Sequence, residues 1–215
     1  MAATVKVNEI LLSIQGEGTR AGRPCVLVRL TGCNLRCEWC DTAYAWDEGT
    51  DMSIDAVLWR VAELGCKLVE VTGGEPLTQP AALDLLARLC EEGYETLLET
   101  NGSLDIAQVD KRVVRIVDFK CPSSGQQEAN RWANVAALTK RDEVKFVLAG
   151  RGDYEFARAA VAEHKLCDKC PVIFSPVLSR LAPATLAGWI LEDHLPVRLG
   201  LQLHRIIWPG KERGV

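Results

Sequence analysis

The sequence predicts an α/β fold, an incomplete (partial) βα barrel built on a mostly parallel sheet. Three observations predict it. Short β-rich apolar runs alternate with stretches of helical periodicity, the pattern of βα units joined by right-handed crossovers. Turn-forming residues close these runs at their C-terminal ends, the rim on which such folds build their sites. The 215 residues fall short of the roughly 250 that a closed eight-fold barrel takes, and full helices are too few for one. This length suits a single domain. It divides into an N-terminal strand and loop (1–24), a βα core (25–200) and a C-terminal tail (201–215) expected to cap a substrate site.

The elements follow in order. Val5–Leu11 alternates as a strand and enters the loop Ser13-Ile14-Gln15-Gly16-Glu17-Gly18. Cys25–Leu30 is continuous enough to be buried on both faces, with Arg29 interrupting it near its end. Ser53 caps a helix Ile54–Leu64 whose apolar residues share one face. Leu68–Thr72 is a strand. Pro80 opens a helix to Glu92 that Gly93 closes. Strands Thr96–Thr100 and Val113–Lys120 follow, then a helical segment Trp132–Leu138 and strand Glu143–Leu148. Asp153 is expected to cap a helix to His164. Val172–Phe174 leads into Ser175-Pro176, Ala184–Asp193 is helical, and Val197–Leu203 is a last strand. His164 and His194 are expected at the surface.

Composition narrows the function. Hydrophobic residues make up 48% and charged residues 25%, as in ordinary globular proteins. A net charge of −4 lacks the basic excess of a nucleic-acid-binding surface, so no direct nucleic-acid contact is expected. No apolar run is long enough to span a membrane, and no leader pattern opens the chain. Nine cysteines, some in apolar contexts such as Cys66 and Cys90, fit a reducing cytoplasm better than a secreted disulfide framework. The chain is expected to be cytoplasmic.

Chemistry concentrates in Gly32-Cys33-Asn34-Leu35-Arg36-Cys37-Glu38-Trp39-Cys40-Asp41-Thr42. Three soft thiolates in one loop suit a [4Fe–4S] cluster or a zinc ion. On a cubane, three cysteines leave one iron open to a small molecule. A structural zinc site is closed and needs a fourth ligand, which Cys167 or Cys170 could supply. Gly73-Gly74-Glu75-Pro76, Glu99-Thr100-Asn101-Gly102 and Asp118-Phe119-Lys120 lie at the ends of other strands. Each alone reads as a turn; together with the cysteine loop they describe one rim.

The C-x3-C-x2-C spacing, with an aromatic before its last cysteine, resembles the signature of radical S-adenosylmethionine (SAM) enzymes. The resemblance implies a partial barrel of the radical SAM type. It implies that Cys33, Cys37 and Cys40 hold a [4Fe–4S] cluster whose open iron binds SAM, which is cleaved to a 5′-deoxyadenosyl radical. It places Trp39, Cys40 and Asp41 beside the adenine, and Gly73, Gly74 and Glu75 at the methionyl ammonium. Glu99, Thr100 and Asn101 are to face the ribose and Lys120 the SAM carboxylate. Asp118 and Ser175 complete the implied SAM contacts.

A finer resemblance, covering nearly the whole chain, is to the 7-carboxy-7-deazaguanine synthase family. It rests on Ile14-Gln15-Gly16-Glu17-Gly18, Arg29, Cys40-Asp41-Thr42, Thr72-Gly73-Gly74-Glu75-Pro76, Glu99-Thr100-Asn101-Gly102 and Gln202-Leu203-His204. That family makes the core of queuosine-type 7-deazapurines from 6-carboxy-5,6,7,8-tetrahydropterin, with loss of ammonia. The resemblance implies substrate contacts from Ile14, Gln15, Gly16, Glu17, Arg29, Thr72 and His204, and Mg²⁺ at Thr42. An electron donor such as a flavodoxin or ferredoxin, and a homodimer, are implied partners. Arginine and a hard cation do suit a pterin carboxylate. Some members read Ser-Pro-Lys where this chain has Asp118-Phe119-Lys120, and some end soon after the Gln-x-His segment. A radical SAM activase and a non-catalytic zinc module are the competing readings; the first needs no pocket of the kind that Arg29, Thr42 and the Gln-Gly-Glu-Gly loop suggest.

Overall fold

The computed structural model describes residues 3–211 and 213–215. Nine strands form one sheet: β1 (Thr4–Ile14), β2 (Pro24–Leu30), β3 (Thr50–Ser53), β4 (Leu68–Gly73), β5 (Glu95–Thr100), β6 (Val114–Asp118), β7 (Glu143–Leu148), β8 (Val172–Pro176) and β9 (Arg198–Leu199). Their order is β3-β1-β2-β4-β5-β6-β7-β8-β9. β1 runs antiparallel to β2 and β3. Every pairing from β2 to β9 is parallel. The two end strands do not meet, so the barrel is open.

The longer helices are α1 (Ile54–Glu63), α2 (Ala81–Glu91), α3 (Arg151–Glu163) and α5 (Pro183–Glu192); α4 (Leu166–Lys169) and α6 (Leu203–Ile207) are short. Side chains alternate across each strand, and this divides the core in two. Val26, Val28, Leu30, Val69, Val71, Val117, Phe146 and Phe174 face the helices in the larger cluster. Cys25, Leu27, Leu68, Leu97, Val114 and Ile116 form a small apolar cluster on the other face. The parallel strands are therefore buried on both sides, as their continuous apolar runs predict.

Ser53 accepts a hydrogen bond from Ala56 N at 3.2 Å and caps α1 as expected. Several details depart from the reading of the sequence. β3 is an additional strand, paired along Thr4–Val7 of β1. Gly150, not Asp153, is the residue before α3. Asp153 sits inside the first turn, where its buried carboxylate accepts from Ala149 N at 2.7 Å and Ser123 N at 2.9 Å. The expected Val197–Leu203 strand shrinks to Arg198–Leu199, and Leu203 and His204 open α6 instead. Gly200 marks the change: a Cβ there would lie 2.5 Å from Ser175 Oγ and 2.6 Å from Ile173 Cγ2. The helical segment expected over Trp132–Leu138 is a 3-10 helix, Trp132–Ala137. His164 is not a free surface residue; its ring stacks on Trp132 at 4.3 Å.

Candidate active site

The inner face changes character along the strands. Its lower layer is the small apolar cluster; farther along, it carries Arg29, Glu70, Thr72, Glu99, Asp118 and Lys145. Arg29 pairs with Thr72 and Asp118 with Lys145 in the sheet register, while Thr72 Oγ1 donates to Glu99 Oε2 at 3.2 Å. These ends form the wall of a cavity of about 340 Å³, completed by the cysteine loop, the loop after β1 and the C-terminal tail.

Backbone contact sets the cysteine loop against β4. Gly74 N donates to Leu30 O at 3.1 Å, and Glu75 N donates to Gly32 O at 2.7 Å. A Cβ on Gly73 would lie 2.1 Å from Leu30 O, and one on Gly74 would lie 2.0 Å from Gly32 O. Only glycine allows two main chains to approach so closely. Within the loop, Arg36 Nη1 donates to Cys33 O at 2.7 Å and Leu35 O at 2.8 Å, and its guanidinium covers Trp46. Asn101 Nδ2 reaches Asn34 Oδ1 at 3.0 Å. Cys33, Cys37 and Cys40 are all free thiols on the cavity wall. Burial pushes the Cys37 and Cys40 thiols up, so loading a metal there must displace protons.

Of the residues expected at the site, Ile14, Gln15, Gly16, Glu17, Arg29, Cys33, Cys37, Trp39, Cys40, Asp41, Thr42, Thr72, Gly73, Gly74, Glu99, Thr100, Asn101, Asp118, Lys120 and His204 line the cavity. Glu75 and Ser175 do not. Glu75 is 0% exposed beneath the wall. Its carboxylate accepts from Thr100 Oγ1 at 2.9 Å, Asn101 N at 2.6 Å and Leu77 N at 3.0 Å. Its carboxylate braces the ends of β4 and β5. Ser175 is buried in β8 against Gly200.

Charges on the wall are arranged in pairs. Lys145 Nζ donates to Glu17 Oε2 at 2.7 Å and to Glu99 Oε1, with Asp118 Oδ2 at 3.9 Å. Lys120 Nζ donates to Asp118 Oδ2 at 2.8 Å. Burial alone disfavours both ammonium groups, but the adjacent carboxylates outweigh it and hold both above the ordinary lysine value. Burial likewise opposes ionisation of Glu99, and Lys145 overrides it, keeping that carboxyl low. Arg29 Nε donates to Glu9 Oε1 at 2.8 Å, and Tyr44 OH donates to the same oxygen at 3.1 Å.

The tail forms the remaining side. Leu203 N donates to Gly16 O at 3.0 Å. Gln202 Nε2 reaches Glu17 Oε1 at 2.9 Å and Asp41 Oδ2 at 3.2 Å. Arg205, Lys211 and Val215 line the cavity, while Arg213 pairs with Glu48 at 2.8 Å. Glu70, Lys145 and Tyr44 belong to the wall without having been singled out in the sequence. For Glu70 and Lys145 a signal existed: an ionisable residue at an inner-face position of an otherwise apolar strand.

The radical SAM superfamily pattern matches residues 27–120. A 7-carboxy-7-deazaguanine synthase of Chlorobaculum tepidum is 48% identical over 99% of this chain and 98% of its own length. The chain belongs to the 7-carboxy-7-deazaguanine synthase family. A second member, from Koribacter versatilis, is 46% identical over 98% of this chain and 100% of its own length. The crystal structure of QueE from Escherichia coli shares the fold, with a TM-score of 0.76 at 22% identity over 93% of this chain and 94% of that one.

As a radical SAM protein, the chain uses a [4Fe–4S] cluster and SAM. The residues present fit these groups. Three free thiolate donors share one loop. Gly73 and Gly74, whose main chain packs against Leu30 and Gly32, line the cavity beside them and present backbone without side chains. Among the described residues, the buried Asp118 Oδ1 has no hydrogen-bond partner, and Asp118 lines the cavity. Among the described residues, no three His, Cys, Asp or Glu side chains are gathered tightly enough for one metal ion; a cubane instead offers a separate iron to each thiolate. Among the described residues, no helix is long and apolar enough to cross a membrane.

Proposed function

We propose that this 7-carboxy-7-deazaguanine synthase converts 6-carboxy-5,6,7,8-tetrahydropterin to 7-carboxy-7-deazaguanine with loss of ammonia, in the biosynthesis of queuosine-type 7-deazapurines. The conversion is a net elimination, so substrate and product stand at the same oxidation level. When bound, the cluster and SAM supply a 5′-deoxyadenosyl radical. The side chains bind the pterin, orient it, exclude water and carry protons. The observation that supports this reading is a single cavity wall shared by the three cysteines, Arg29, Thr72 and Gln15. Arg29 takes the substrate carboxylate, its guanidinium already oriented by Glu9. Gln15, Glu17 and Glu99 offer hydrogen-bonding partners to the pterin edge, and His204 closes over Gly16.

The Thr42 hydroxyl, 2.9 Å from Asp41 Oδ1, provides hard oxygen for a Mg²⁺ ion that the substrate carboxylate completes. A one-electron donor of the flavodoxin or ferredoxin class, a homodimer and a cytoplasmic location complete the proposal.

The test is an anaerobic assay of reconstituted enzyme with reductant, SAM and the carboxytetrahydropterin, read by mass spectrometry. About four irons per chain and formation of the deazaguanine are expected, and Cys33→Ala, Cys37→Ala and Cys40→Ala should each lose SAM cleavage. Arg29→Ala should keep SAM cleavage and lose product. Cleavage of SAM with the pterin returned unchanged would refute the substrate assignment. For the cation, a Mg²⁺ titration of wild type and Thr42→Val decides: identical curves with intact clusters would remove it.

A further inference from the structure

Glu70 differs from the other carboxylates of the wall. Glu17 and Glu99 are paired with Lys145, and Asp118 with Lys120. Glu70 is 4% exposed and has no ion-pair partner among the described residues. It lies on β4 two residues before Thr72, hence on the same inner face, and it lines the cavity. Its Oε2 accepts from Gln15 Nε2. The Gln15 carbonyl in turn accepts from Glu17 N at 3.1 Å, which fixes the orientation of the amide. Among the described residues, the other Glu70 oxygen has no hydrogen-bond partner.

The groups facing Glu70 are Glu99 from β5, Glu17 from the loop after β1, Lys145 from β7 and the Cys25 thiol from β2. Burial first, and then the charge of Glu99, push the Glu70 carboxyl up to about 8, against the opposing pull of Gln15 and Lys145. The acid is therefore mostly protonated at neutral pH. With Oε2 occupied as an acceptor, the proton belongs on the free oxygen.

We propose that Glu70 is a specificity-determining residue that donates a hydrogen bond, as a neutral carboxylic acid, to the ring carbonyl of the pterin. This rests on the carboxypterin reading above. The pyrimidine edge of a pterin places a carbonyl acceptor beside N–H donors. Around Glu70 the wall is rich in carboxylate acceptors for those N–H groups, but the neighbouring donors are committed: Thr72 to Glu99, Gln15 to Glu70, and Lys145 to two carboxylates. Glu70 supplies the missing donor, and a carboxyl kept neutral by its surroundings is a known way to do so. Above its titration point it becomes one more anion, facing both the carbonyl and the substrate's own carboxylate. Binding is thus strongest below about pH 8 and is lost as pH rises through that value.

The test is anaerobic calorimetry of the cluster-loaded enzyme with 6-carboxytetrahydropterin between about pH 7 and about pH 9, with KM measured in parallel. Wild-type affinity should fall about tenfold over that range. Glu70→Gln, which keeps an N–H donor at any pH, should bind with near wild-type affinity at about pH 7 and stay flat. Glu70→Leu removes the donor and strands the Gln15 amide, so its affinity should be about tenfold weaker at about pH 7, with iron content unchanged. A Glu70→Gln profile that follows wild type, or a Glu70→Leu affinity equal to wild type, would overturn the proposal. No pterin binding by the wild type, with SAM still cleaved, would instead overturn the substrate reading and this inference with it.

Discussion

Two ion clusters lie on the same face of β7, two residues apart, and they are built differently. The lower one centres on Glu143, 1% exposed. Its carboxylate accepts from Thr19 N at 2.9 Å, from the Thr19 hydroxyl and from Arg20 at 2.8 Å. Arg20 continues to Glu95 at 3.0 Å, and Glu95 to Arg23 at 2.8 Å. Every carboxylate there faces a cation, and the whole cluster clips the loop between β1 and β2 beneath the sheet. The upper cluster centres on Lys145 and clips the same loop through Glu17. It is incomplete: among the described residues, Asp118 Oδ1 has no hydrogen-bond partner and Glu70 no ion-pair partner. A saturated polar network holds structure; an unsaturated one, in a cavity, keeps hydrogen-bonding capacity for a ligand.

Lys145→Met should have the largest effect. It leaves the half-buried Glu17 and Glu99 without the buried cation between them, and the loss is expected near the lower end of what breaking a buried pair costs, about 3 kcal/mol. Glu99 is held low by Lys145, so this stabilisation is present at neutral pH and lost as pH falls through the Glu99 value. Urea unfolding should therefore show a wide gap between variant and wild type near pH 7 and a narrower one in acid. Equal midpoints near pH 7 would mean that the upper cluster contributes no net stability.

Glu143→Gln comes next. It removes the charge from a saturated cluster, with an expected loss of about 2 kcal/mol and pterin affinity within about twofold of wild type. Weakened pterin binding at unchanged stability would erase the distinction between the clusters. The smallest effect belongs to Arg23→Ala, whose guanidinium is half exposed at 51%. Exposed ion pairs contribute little, so unfolding should shift by about 0.5 kcal/mol or less; a shift of several times that would make Arg23 integral to the lower cluster.

The parallel sheet, the helix caps at Ser53 and Gly93 and the convergence of four strand ends were legible because each rests on local periodicity or turn chemistry. The motif residues were legible for the same reason, as they interrupt apolar runs where the chain leaves the sheet. Lys145 and Glu70 were legible only as ionisable residues on apolar strands, on the face that alternation assigns them. Their partners were not, because Glu17 and Glu99 for Lys145, and Gln15 for Glu70, lie far away in sequence. The fate of Glu75 was hidden likewise, since its acceptors are filled by Thr100 and Asn101 of the next strand. The strand expected over Val197–Leu203 failed differently: its apolar residues suit a strand, but close packing at Gly200 ends β9 at Leu199 and the chain enters α6 at Leu203.

The main-chain contact between Gly73-Gly74 and Leu30-Gly32 has a consequence for how such a chain diversifies. That contact fixes where the cysteine loop stands, and no side-chain exchange can lengthen or shorten it by a fraction of an ångström. The proposed partners of the pterin, by contrast, project as side chains from β2, β4 and β5, at Arg29, Glu70, Thr72 and Glu99. Point substitution can therefore exchange the molecule acted upon while the radical-generating half is inherited unchanged. Drift at the two glycines has no such freedom, because its first step already destroys the machinery that every later variant would need.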